Sequence, residues 1–221
     1  MFWTVFLLFR LNDAKIKKYS LIAIIFPLSI QTHVVSVTIF FLLPKARGFN
    51  HSYYRPFHLA ILKGDWESTK AFIDNDPTAL TAKVTVLGRT ALHVAAVGAQ
   101  WKLVEKLVQH MPANMAAELD FMGCTCLHYV AMGESVKAAK ALVAKNPSLT
   151  QVTDCKGFTP LIYSVTSTRC KHMVQYLFMN TTDDGPGRPF SGSSASHLVA
   201  LLIHAGFYGN LNAANLFSPD S

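Results

Sequence analysis

Charge is scarce in this sequence: only 15% of its 221 residues are Asp, Glu, Lys or Arg, while 51% are hydrophobic. That balance excludes a disordered chain, which buries too little apolar surface to offset its conformational entropy. Cysteine is sparse too. Cys124, Cys126, Cys155 and Cys170 cannot form the dense framework that staples small secreted domains, and reduced thiols in the cytosol are the reading. The usual catalytic signatures are missing. No Gly-x-Ser-x-Gly, Walker loop, Rossmann glycine pattern or His-Glu-x-x-His occurs, and Gly185-Pro-Gly-Arg is a turn rather than a phosphate cradle. No enzyme, cofactor or small-molecule substrate is therefore expected. Acids are nearly absent from the first fifty residues, where six Lys and Arg face Asp13 alone and carry +5 of the net +7. The remaining residues carry only +2. Nucleic acid would need a basic stripe on the folded body, and the sequence shows none.

One long stretch lacks charge altogether. Ser20 to Leu43 is a 24-residue run without Asp, Glu, Lys or Arg, and about 20 apolar residues suffice to cross a bilayer as a helix. Pro27 and the polar triplet Gln31, Thr32, His33 interrupt it. Basic residues lie on both sides, so charge asymmetry sets no orientation. A cleaved signal peptide fits less well, because no small-residue cleavage pattern follows the run before Pro44. Residues 1–50 are thus an apolar, basic N-terminal segment: either it holds a membrane span at 20–43 or it is an atypical leader.

From residue 51 onward a repeat is present. Arg55-Pro-Phe-His-Leu-Ala-Ile, Thr90-Ala-Leu-His-Val-Ala-Ala, Thr125-Cys-Leu-His-Tyr-Val-Ala and Thr159-Pro-Leu-Ile-Tyr-Ser-Val start 35, 35 and 34 residues apart. A degenerate fifth copy is read near His197. This period and the Thr-x-Leu-His signature are those of ankyrin repeats. The fold class is therefore an all-α solenoid of four to five helix-turn-helix repeats over residues 51–217. The copies lie near 53–87, 88–122, 123–156, 157–181 and 195–217. The threonines sit at helix starts, where a hydroxyl can bond an orphan backbone N–H. Pro56 and Pro160 are read at first-turn positions that need no donor. Leu92, Leu127 and Leu161 are core residues, and Ala95, Ala96 and Ala131 allow close helix approach. Gly88, Gly123 and Gly157 suit tight turns, opened by Asp120 and Asp154. Apolar spacing predicts second helices over Trp66–Ile73, Leu103–Val108, Val136–Val143 and Met173–Phe178, with Pro77, Pro112 and Pro147 beyond them. Residues 182–196 read as a long loop. Phe207–Phe217 reads as a frayed end.

The strings Tyr54-Arg-Pro-Phe-His-Leu-Ala-Ile-Leu-Lys-Gly-Asp-Trp, Gly88-Arg-Thr-Ala-Leu-His-Val-Ala-Ala, Gly157-Phe-Thr-Pro-Leu-Ile-Tyr and Lys171-His-Met-Val-Gln-Tyr-Leu-Phe resemble plant ankyrin-repeat proteins of the accelerated-cell-death type. The resemblance covers residues 53–217 and implies roles in defence, cell death or salt-stress signalling. Members usually carry a C-terminal multi-span domain with a Pro-Gly-Gly signature. The sequence to Ser221 has none, so anchorage by that route is not expected and a truncated member is one reading.

In such stacks partners usually meet the turn tips and the inner face of the first helix. Here the tips are Val86 and Leu87, Phe121 and Met122, and Cys155 and Lys156, extended by Arg89, Cys124 and Phe158. The row is apolar for exposed turns, and an exposed apolar row usually marks an interaction site. The protein-binding residues expected are Leu87, Arg89, Phe121, Met122, Cys124, Cys155, Lys156 and Phe158, and the partner is an unidentified protein. The opposing reading is that Phe121 and Phe158 pack against neighbouring turns. Cys124-x-Cys126-x-His128 has ligand-type residues but the wrong spacing for zinc, and repeat position accounts for each of them. No metal is expected. His58, His93 and His128 recur because the fold uses a histidine there, hydrogen-bonding between neighbouring repeats. Two functions remain: a binding scaffold in defence or stress signalling, and an integral membrane signalling component anchored by 20–43. The repeats belong in the cytosol, on the cytoplasmic side of the plasma membrane if that segment spans.

Overall fold

The computed structural model describes residues 50–207 apart from 168, 169 and 186, and omits the side chains of His51 and Ser193. The candidate span at 20–43 and nearly all of Phe207–Phe217 lie outside the described residues. Among the described residues no helix is long and apolar enough to cross a membrane.

The described elements are helices and short 3₁₀ turns. First helices are α1 (His51–Lys63), α3 (Ala91–Val97), α5 (Cys126–Ala131), α7 (Pro160–Ser167) and α9 (Gly192–His204). Second helices are α2 (Trp66–Asn75), α4 (Trp101–His110), α6 (Val136–Lys145) and α8 (Lys171–Asn180). Each first helix packs on the next first helix, and α4, α6 and α8 pack in succession behind them. The stack is therefore two layers of helices with turns projecting from one edge.

Local chemistry sets the boundaries. Asp65 caps α2 by accepting from Ser68 N–H at 3.1 Å, and Ser135 caps α6 by accepting from Ala138 N–H at 3.2 Å. Asp76 and Asn146 each turn the chain after a second helix, accepting from Thr78 and Ser148 N–H at 3.1 Å. Pro77 and Pro147 follow at the start of 3₁₀ turns, where a missing N–H costs nothing. Pro160 likewise opens α7. Pro56 does not have that role. The helix begins at His51, capped by Asn50, and Pro56 lies inside it. Its ring is at the surface, where water can serve the carbonyl that loses its partner.

The core is the seam between the layers. Leu92, Leu127 and Leu161 are buried at equivalent positions, against Leu103, Val104, Leu107 and Val108 of α4, Leu142 and Val143 of α6, and Met173, Val174 and Leu177 of α8. Each such side chain stabilises by about 1.5–3 kcal/mol. Ala95, Ala96 and Ala131 are also buried, which lets the first helices pack closely.

One joint recurs at the base of the turns. Thr90 Oγ1 lies 2.8 Å from His93 Nδ1, and Thr125 Oγ1 lies 2.9 Å from His128 Nδ1. Both backbone N–H groups donate to the same nitrogens, at 3.3 and 3.0 Å. On the far side of each ring, Nε2 reaches the next repeat: Cys124 O at 3.0 Å from His93, and Phe158 O at 3.1 Å from His128. A carbonyl can only accept, so Nε2 carries the proton and Nδ1 accepts. In the fourth repeat Ile162 takes the histidine slot. Thr159 Oγ1 is consequently buried without a partner.

The fifth copy starts earlier than the sequence pattern suggested. Contacts from the residue after each turn glycine fix the register: Arg89 to Tyr129, Cys124 to Tyr163, and Phe158 to His197. Tyr129 and Tyr163 each lie four residues after their threonine, so His197 places the fifth threonine slot at Ser193, 34 residues after Thr159. Helix α9 accordingly occupies Gly192–Ser196, which read as loop, because the Gly and Ser run hid a helix whose Leu198 and Leu202 are buried.

The unequal threonines give a test. Replacing Thr125 with Val removes the hydroxyl bond to His128 Nδ1, leaving only the backbone N–H on that nitrogen, and should cost about 0.5–1.5 kcal/mol. Replacing Thr159 with Val removes an unsatisfied hydroxyl at constant shape and should be neutral or stabilising by up to ~1 kcal/mol. Urea unfolding midpoints of the two variants check this; equal losses would contradict it.

Candidate protein-binding face

Three turns project from the stack, and His93 and His128 hold the bases of the second and third. Each spans six residues: Thr85–Thr90, Asp120–Thr125 and Asp154–Thr159. Asp120 Oδ1 accepts from Met122 and Cys124 N–H at 2.8 and 3.0 Å. Asp154 Oδ1 does the same for Lys156 and Phe158, both at 2.8 Å. In the first turn Thr85 substitutes, its hydroxyl accepting from Arg89 N–H at 3.2 Å. Successive tips are bonded through their backbones: Phe121 N–H donates to Leu87 O at 3.0 Å, and Cys155 N–H to Met122 O at 2.9 Å. Gly123 has φ +75°, and an added Cβ would lie 3.0 Å from Cys155 N. Both the left-handed backbone and the close approach of the next turn require glycine there.

The remaining carboxylate oxygens look inward. Tyr129 donates to Asp120 Oδ2 at 2.5 Å, and Tyr163 to Asp154 Oδ2 at 2.8 Å. Arg89 joins the first pair, with Nη2 donating to Tyr129 Oη at 3.2 Å, Nε 3.7 Å from Asp120 Oδ2 and the guanidinium 4.9 Å above the tyrosine ring. The sequence reading took the aspartates for turn formers but missed the tyrosines. Their position four residues after each threonine was the available signal.

The expected contact residues now separate into three groups. Phe121, 60% exposed, and Met122 stand at the tip of the second turn, and Cys155 and Lys156 are exposed at the tip of the third. The Phe121 ring also lies over Gly88, where an added Cβ would fall 2.5 Å from it. It therefore packs on the neighbouring turn and still presents most of its surface. Leu87, Arg89 and Phe158 are half-buried: Arg89 is held by the tyrosine network, and the Phe158 ring rests against His197 at 5.7 Å. Cys124 is buried, with Sγ 3.4 Å from Tyr163 Oη, and is corrected from a contact residue to part of the joint beneath the turns. The residue after each glycine points down the stack, so only the two before it form the tip.

Burial pushes the Cys124 thiol up to about 11 and raises Cys126 further. Cys126 Sγ lies 3.5 Å from Leu92 O, and both nitrogens of His128 are engaged. The ligand-type residues of this stretch are thus used in joining repeats. Among the described residues no group of three or more His, Cys, Asp or Glu could hold a metal. The turns also do not account for a second apolar row. Leu62, Val97 and Met132 are exposed at equivalent positions near the ends of α1, α3 and α5. Their 35-residue spacing made this row readable from sequence, had the register been followed past the first turn of each helix.

Burial drives His93 down to about 4 from 6.5 and lowers His128 as well. Unfolded, both would titrate near 6.5. Between about pH 6.5 and 4 the unfolded chain binds more protons, so stability is lost as pH falls. The slope from each histidine is at most ~1.4 kcal/mol per pH unit, and neither contributes a slope above about pH 7.5. Urea midpoints measured from pH 7.5 down to 5 should fall, and less steeply in His128→Gln. A flat profile would contradict the burial of neutral histidines.

Residues 98–185 match the family model of ankyrin repeats in three copies. Among solved structures, a chain of the crystal structure of the yeast ribosomal protein Rps3 in complex with its chaperone Yar1 aligns with a TM-score of 0.51 and 18% identity. The alignment covers 60% of this chain and 95% of that one. At that identity the likeness is one of fold. No curated protein matches the sequence. The repeat period, the two helical layers, the turns between them and the family model agree: residues 98–185 carry ankyrin repeats, set within an all-helical solenoid.

Proposed function

We propose that this protein is a non-enzymatic recognition module that captures another protein on its turn face. The observation that carries the reading is the tip formed by Phe121 and Met122. A large apolar pair stands in solvent on a backbone fixed by Asp120, Gly123 and the neighbouring turns. A rigid apolar anchor gains binding energy without a large ordering cost. Leu87, Cys155 and Lys156 flank it, and Arg89 and Phe158 support it from below. Ankyrin repeats at 98–185 support an interaction role.

The setting belongs to the same proposal. The resemblance to plant proteins of the accelerated-cell-death type suggests defence or stress signalling, and the uncharged run at 20–43 suggests anchorage that leaves the repeats in the cytosol. Should that run span a bilayer, the chain is an integral membrane signalling component, and carbonate would not extract it.

The experiment is affinity capture with the full chain, comparing wild type with Phe121→Asp/Met122→Asp. Both side chains are exposed tips, so the variant should stay folded, with only the small loss of melting temperature that follows from removing the Phe121 contact on Gly88. A specific protein retained by wild type should be lost, or weakened at least tenfold, in the variant. Equal retention by a folded variant removes the turn face as the site.

A further inference from the structure

The outer face of the second helices carries a charge pattern that the turn face does not. Helices α4, α6 and α8 begin at residues 101, 136 and 171, so equivalent positions recur every 35 residues. Their inner sides are the buried core. Their outer sides hold Lys102, Lys106, Lys137 and Lys140, and Lys171 opens α8; all five are exposed. The one acid in these three helices, Glu105, is half-buried and bonded to Lys137 at 3.0 Å. Among the described residues the other four lysines form no ion pair. Lys106 lies 5.2 Å over the Trp66 ring of α2, and Lys140 lies 5.8 Å over the Tyr176 ring of α8. Lys106, Lys137 and Lys140 thus reach across helix boundaries, and the five lysines share the outer side of three successive second helices. Helix α2 breaks the pattern, since Glu67 and Asp74 outnumber Lys70, itself paired with Asp74.

This row escaped the sequence reading because the charge of residues 51–221 nearly cancels. Of the acids in residues 51–221 only Glu105 falls on α4, α6 or α8, whereas six of the ten lysines do. At the end of the row Met179, 76% exposed, stands at the position equivalent to Gln109 and Ala144.

We propose that the outer face of α4, α6 and α8 docks on an anionic bilayer surface. The row contains no arginine, and lysine is a hydrated point charge suited to a diffuse negative surface, whereas paired phosphates or carboxylates favour the arginine fork. Single-stranded nucleic acid would use open aromatic faces for stacking, but Trp66 and Tyr176 are covered by lysines. A protein partner would want an apolar centre ringed by polar groups; here the charges hold the centre and Met179 the edge, placed to enter a headgroup layer. The proposal is independent of the turn face, which lies on other elements.

The test is binding of the full chain to phosphatidylcholine vesicles with and without phosphatidylserine. Residues 1–50 are themselves basic, so any binding through them, with its own share of the phosphatidylserine gain, is common to wild type and variants, and the face is read from the difference between the two. Each lysine near an anionic surface contributes about fivefold. The four unpaired lysines should therefore contribute several hundredfold to the gain in wild-type affinity on phosphatidylserine at low salt, and high salt should abolish the gain. Lys102→Glu/Lys106→Glu/Lys140→Glu/Lys171→Glu should bind phosphatidylserine vesicles at least tenfold more weakly than wild type; should that variant melt early, the matching Gln variant should show most of the same loss. A wild type indifferent to phosphatidylserine, or a folded variant that keeps the gain, overturns the proposal. Binding of polyglutamate or a homopolymeric RNA to this face without any phosphatidylserine effect also overturns it, and assigns the face to another class of partner.

Discussion

A neutral imidazole buried between two repeats is the interaction on which the rest of this structure depends. His93 and His128 each accept at Nδ1 from their own repeat and donate from Nε2 to a backbone carbonyl of the next. One side chain therefore caps a helix, fixes the base of a turn and sets the spacing to its neighbour. The cost is desolvation, and it is met by keeping the ring uncharged. A buried polar group with every bond made is cheap, while one left unpaired costs about 1–3 kcal/mol. Apolar packing supplies most of the stability, but leucines and alanines at equivalent positions would tolerate a slide of one repeat on another. The histidine bonds do not.

The turn face follows from that joint. Histidines take the carbonyls of Cys124 and Phe158, each just after its turn glycine, so these residues point down the stack and the two residues before the glycine become the tip. Asp120 and Asp154 then close the turns from within and hand their second oxygens to tyrosines of the first helices. The result is a stiff row in which Phe121 and Met122 can stand in water without the backbone yielding. On the opposite edge the second helices need only their inner stripe for packing. Their outer positions are free to collect lysines, which is how a nearly neutral body comes to have a basic face.

Most of the fold was legible because a repeat multiplies each signal. The 35-residue spacing, the Thr-x-Leu-His pattern and the glycines three residues after Asp120 and Asp154 each placed an element correctly, and the inter-repeat role of the histidines followed from their recurrence. The errors lie where a copy departs from the pattern. Pro56 looked like a first-turn proline because the preceding turn of α1 has no equivalent in the other repeats. The Gly and Ser run at 192–196 looked like loop because propensity is weak evidence beside the burial of Leu198 and Leu202. Exposure at the turns was the least legible feature. Met122 and Cys124 flank the same glycine, and sequence alone does not say which of them points down the stack.

Amide hydrogen exchange under native conditions measures the strength of each joint separately. The central claim is that the histidine joints, rather than packing alone, hold the repeats in register. It predicts that the amides of Phe121, Cys124 and Thr125 exchange only through global unfolding. Those of Tyr163 and Ala195, beyond the slot where Ile162 replaces histidine, should exchange faster through local opening. Equal or greater protection at Tyr163 and Ala195 would contradict the claim.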